Sequence, residues 1–115
     1  MTTTVISLST PAIQLADIID YSQGRVQRQT LLEDTNCRYI LLSLPAGAQL
    51  AEHSAPRNAT VNVIEGQGVL ILEGKEIRLK PGVFVFMPAT ARHALNAETN
   101  LTVLLTLSER AADSN

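Results

Sequence analysis

The residues able to do chemistry here are few: two histidines, His53 and His93, one cysteine, Cys37, and a thin scatter of charge. Two imidazoles can trade protons near neutral pH, ligate a borderline metal ion, or form the polar end of a pocket. They do not complete a metal shell alone. A catalytic zinc takes three protein ligands and one open position, and a non-haem iron site uses two His and one carboxylate. Glu52 adjoins His53, but strand alternation directs it to the other face. Cys37, Asn62 and Met87 are the other conceivable donors. Cys37 opens a buried-looking strand, so it reads as a small core hydrophobe rather than a nucleophile. Arg57 and Arg92 flank the histidine segments in predicted loops. Either guanidinium can fork onto a carboxylate or phosphate, although a loop arginine is ordinarily solvated.

The elements that must position these side chains are short strands. Cys37 to Leu44 is β-rich and apolar enough to be buried on both faces. Further strands are predicted over Gln49 to His53, Thr60 to Glu65, Val69 to Leu72, Glu76 to Leu79, Val83 to Met87 and Leu101 to Leu107. Gly66-Gln67-Gly68, Glu73-Gly74, Lys80-Pro81-Gly82 and Pro88-Ala89-Thr90 punctuate them. Arg25 to Leu32 alternates polar and apolar, and Glu33 to Asn36 is a turn cluster. Short strands with regular Gly/Pro punctuation predict an all-β sandwich or barrel. Ahead of it, Val5 to Leu8 reads as an edge strand. Thr10-Pro11 reads as a helix start, with one short helix over Ala16 to Tyr21 closed by Gly24. The segment 1–24 therefore packs on a barrel of 25–108, or on a partner subunit, and the polar tail 109–115 frays.

Composition bounds the function. The chain has 115 residues, 45% hydrophobic and 17% charged, the balance of one globular domain. Net charge is −2, with no Lys/Arg run, and aromatics are 3%. A phosphate backbone or stacked bases would find little to hold, so no nucleic-acid partner is expected. One cysteine excludes a disulfide framework within the chain. No apolar run is long enough to span a bilayer, and the opening residues lack a signal-peptide pattern. A cytoplasmic protein without a membrane partner is the expectation.

Two spacings carry more information. The first is Gly47-x5-His53-x-Ala55-x3-Ala59-x6-Gly66, and the second is Gly82-x5-Pro88-x4-His93. Together, in this order and inside an all-β pattern, they resemble the two motifs of the cupin superfamily of small jelly-roll barrels. The family patterns are G-x5-H-x-H-x3,4-E-x6-G and G-x5-P-x-G-x2-H-x3-N. Leu15 to Ile19, Thr30 to Leu32 and Glu52 to Pro56 also resemble a subgroup of stand-alone bacterial cupins. The likeness spans residues 12 to 108.

The resemblance implies an antiparallel double-stranded β-helix, the jelly-roll barrel, whose interior face carries His53, Ala55, Ala59, Val61, Val63 and His93. It also implies a homodimer. The apolar runs Tyr39 to Leu42 and Val69 to Leu72 independently call for cover on both faces. Phe84 and Phe86 share one strand face, read as core or interface packing.

Where metal-binding cupins place two His and a Glu in the first motif, this chain has His53, Ala55 and Ala59. Two of four donors are methyl groups. In the second motif Thr90 stands at the family's Gly, and Asn96 falls one position short of the family's Asn. The expectation is a small-molecule pocket lined by these residues with Arg57 and Arg92 near its mouth. It leaves room for one weakly held divalent transition metal (zinc, nickel, iron, manganese or copper) on His53 and His93. The alternative is a metal-dependent enzyme of dioxygenase, isomerase or lyase type, its two-His site completed by water or substrate.

Overall fold

The computed structural model describes residues 4–108. Nine strands follow in chain order: β1 (Gln27–Glu33), β2 (Cys37–Leu44), β3 (Gln49–His53), β4 (Ala59–Glu65), β5 (Gly68–Leu72), β6 (Lys75–Leu79), β7 (Phe84–Met87), β8 (His93–Ala97) and β9 (Leu101–Ser108). They form two antiparallel sheets, one ordered β1-β2-β9-β4-β7 and the other β3-β8-β5-β6. This is the expected jelly-roll. Strand β8 is the element the sequence pattern did not show. Among the described residues, no helix is long and apolar enough to cross a membrane.

The core lies between the sheets. In β4 the inward set Ala59, Val61 and Val63 is buried, and Thr60, Asn62 and Ile64 alternate outward half-exposed. Leu42 and Leu44 of β2, Val103 of β9, Leu70 of β5 and Leu95 of β8 meet them from the neighbouring strands. β5 and β6 are joined through Glu73 and Gly74, both at positive φ, as a two-residue hairpin loop requires. Gly66, which closes the first motif, also has positive φ, and a Cβ there would collide with the Asn100 main chain. Only glycine fits that crossing.

The N-terminal segment departs from expectation. In place of a helix over Ala16 to Tyr21 there is one 3-10 turn, Leu15–Asp17. The Thr10-Pro11 start is not used, because the main chains of Ser7 and Thr10 bond to each other. The segment is tied to the barrel instead of to itself: Ile18 accepts a bond from the Gln29 side chain, and the Tyr21 hydroxyl donates to Glu65 at 2.7 Å. Val5 and Ile6 donate to the Thr30 and Leu31 carbonyls alongside β1, without a strand being formed. The tail expected over 109–115 lies outside the described residues.

Candidate functional site

His53 ends β3 and His93 begins β8, and the two are direct cross-strand partners. A bulge aims His53. Leu50 pairs with Leu95 and His53 with His93, so β3 takes three steps where β8 takes two. Leu50 lines the interior cavity. Strict alternation from Leu50 would turn Glu52 inward and His53 out; the extra residue reverses this and sends the imidazole inward. At the other ring, the turn before His93 is held by Thr90, which takes φ 70° where the family pattern has glycine. The Thr90 N–H donates to the Ala55 carbonyl at 2.7 Å, which ties the two motif loops together.

The rings meet edge to face, with centroids 4.2 Å apart and planes at 65°. Their Nε2 atoms are 3.1 Å apart. Each Nδ1 faces a main-chain carbonyl two residues back, Ala51 at 2.9 Å for His53 and Ala91 at 3.0 Å for His93. A carbonyl only accepts, so each Nδ1 is assigned the hydrogen. Three contacts then require three hydrogens, one more than the two Nδ1 atoms hold. With both Nδ1 hydrogens placed on the carbonyls, the contact left without one is Nε2 to Nε2. Burial holds His93 below the usual imidazole range, against the pull of the Ala91 carbonyl, and the neighbouring His53 lowers it further. At neutral pH His93 is therefore uncharged. A hydrogen-bond donor or a metal ion beside the pair, off the line joining the two Nε2 atoms, can reach both.

Two joined spaces meet at this pair. The inner one, a small cavity of about 60 Å³, lies between the sheets and is walled by Leu42, Leu50, Val61, Leu70, Leu95 and Val103. The outer one, about 150 Å³, is walled by Ala55, Ala59, Pro88, Leu107 and Arg57. His53, His93, Met87, Leu105 and Arg28 belong to both.

Of the residues expected at the site, His53, His93, Ala55, Ala59, Val61 and Arg57 thus line these two adjoining spaces. Val63 is buried deeper in the core and lines neither part. Arg92 lies in a separate shallow cleft with Glu52, His53 and Ser54. The other donors divide. Cys37 lines an outer groove beside Phe86 and Thr106, Asn62 alternates away from the interior, and Met87 faces the cavity. Arg28 was missed. The signal was available, since Val26, Arg28 and Thr30 fall on one face of the alternating stretch 25–32, opposite Gln27 and Gln29.

The donor set does not fit a resident three-ligand metal. Ala55 and Ala59 put methyl groups where two ligands would stand, and no group of three or more His, Cys, Asp or Glu suited to a metal occurs among the described residues. Two convergent Nε2 atoms fill two positions of a shell and no more.

Comparison with known proteins agrees with the fold. Residues 40–108 match the cupin domain. An uncharacterised protein of Aquifex aeolicus is 32% identical over 102 residues, covering 86% of this chain and 84% of that protein. A cupin superfamily protein from Desulfitobacterium hafniense superposes with a TM-score of 0.80 at 18% identity, over 94% of this chain and 97% of the other. A cupin 2 conserved barrel domain protein from Leptotrichia buccalis does so at 0.79 with 32% identity, over 87% of this chain and 49% of its own. With both motif histidines facing one cavity between the sheets and the domain match spanning more than half its length, this chain belongs to the cupin family.

Proposed function

We propose that this cupin binds a small molecule between its sheets, the apolar part of the ligand against the Leu/Val wall and a hydrogen-bond donor on the paired Nε2 atoms. The supporting observation is that the two imidazoles stand where the inner and outer spaces join. Bound neutral rings leave their lone pairs unsatisfied, and a ligand O–H or N–H supplies what they lack. An apolar cavity with a few convergent polar groups is the usual form of a small-molecule site.

A second reading is favoured by the same convergence: a divalent transition ion held on His53 and His93, the remainder of its shell coming from water or ligand oxygens. It would supply Lewis-acid chemistry, and the protein would then be a metal-dependent enzyme. The metal and small-molecule content of untagged protein, beside a His53→Ala/His93→Ala variant, separates the readings. An organic ligand without stoichiometric metal supports the first. Stoichiometric metal lost in the variant supports the second. A ligand and metal content identical in the two proteins contradicts both.

We also propose that the protein pairs with a second copy of itself. Phe84 and Phe86 are 65% and 53% exposed on β7, an edge strand. The two rings form an apolar face of the sort that subunit interfaces cover.

A further inference from the structure

We infer that the ligand of this cavity is a small hydroxy-carboxylate with a short apolar body, its carboxylate anchored by Arg28 and its hydroxyl donating to the paired Nε2 atoms. The inference rests on the cavity reading above and goes beyond it by giving the ligand its charge. Arg28 pairs in register with Leu42, which is almost fully buried and lines the inner cavity. Directly opposed residues share a face, so Arg28 lies on the interior side of β1, exposed on this edge strand and lining both spaces.

The charge around it is one-sided. Arg28 lines both parts of the space, and no Asp or Glu does so among the described residues. Other arginines of the barrel have acidic partners: Arg38 pairs with Glu33 at 3.1 Å, and Arg78 with Glu98. Among the described residues Arg28 has neither an ion-pair nor a hydrogen-bond partner. The whole chain carries a net charge of −2, so this positive lining is local and runs against the molecule's overall sign.

Arg57 already donates to the Ser108 carbonyl at 3.4 Å. That leaves one complete guanidinium fork, matched to the two oxygens of one carboxylate. The hydrocarbon wall beyond it takes the body of the ligand. The arrangement selects a monoanion that is apolar at its other end, and disfavours a cation of the same shape.

The test is calorimetric titration with three probes of one length: 2-hydroxyhexanoate, 2-hydroxyhexanamide and the ammonium form of 1-amino-2-hexanol. The hydroxy acid should bind about tenfold more tightly than the hydroxy amide, and the ammonium ion more weakly than either. Arg28→Gln should abolish the preference for the acid over the amide. Arg28→Lys should keep part of it. Thermal melting of each variant verifies that it is folded. Equal binding of acid and amide, or a preference that survives Arg28→Gln, overturns the carboxylate assignment and leaves the cavity reading standing. If none of the three probes binds, the cavity reading itself falls, and this inference with it.

Discussion

Thr90 shows how a single side chain can preserve a turn that its type disfavours. A β-branched residue at positive φ costs about 1–2 kcal/mol, because Cβ crowds the following carbonyl. The strain is retained at the turn that leads into His93. Relieving it should stabilise the protein, offset in part by the extra freedom glycine gives the unfolded chain. Thr90→Gly is therefore expected to raise stability by about 0.5–1 kcal/mol in urea unfolding, with the His53–His93 contact retained. Unchanged or lower stability would mean that the Thr90 side chain makes a contribution larger than its strain.

At the scale of elements, the β3 bulge and the Tyr21 tether decide what faces where. The motif spacing made His53 legible as an inward residue. The bulge that turns it inward was not, because alternation counted along β3 alone cannot show where its register against β8 slips. Strand β8 escaped notice for a related reason: His93-Ala94-Leu95-Asn96-Ala97 has no β-branched residue, and its pairing comes from β3 on one side and β5 on the other. The N-terminal helix was expected from local spacing, and tertiary bonds took those residues instead. Tyr21 is central to them. Its hydroxyl lies 2.7 Å from Glu65 and 2.6 Å from Thr102, the latter fully buried. Tyr21→Phe leaves both partners short of a bond and should destabilise by about 1–2 kcal/mol. Burial, opposed by the bond with Thr102 and reinforced by Glu65, pushes the phenol up to about 12 from 10.0. The folded state thus keeps a proton that the unfolded state loses first. The stabilisation is complete below pH 10 and is lost as pH rises through 12. In urea melts across that range, wild type should approach Tyr21→Phe. A gap constant with pH would contradict the burial of that hydroxyl.

For the molecule as a whole, the fold was readable from strand punctuation and motif frame, and the polar lining of the cavity only in part. Arg28 lies far from either motif in sequence, and only the pairing of β1 with β2 brings it to the histidines' cavity. The outer surface was half-read: Phe84 and Phe86 do share a face, and that face is exposed rather than core. Its cover by a second copy predicts a dimer by light scattering at micromolar concentration. Phe84→Ser/Phe86→Ser should shift it to monomer without loss of fold. A wild-type monomer at that concentration would rule the interface out.

Underlying the functional account is a pair of imidazoles that hold their hydrogens on Nδ1 and present bare Nε2 atoms to a shared cavity. Long-range proton–nitrogen NMR of the two rings reads this directly. At pH 7 both Nδ1 atoms should carry hydrogen, and both Nε2 resonances should move together when the cavity is filled. A hydrogen on the Nε2 of one ring with its Nδ1 bare, or rings indifferent to an occupant, would contradict it.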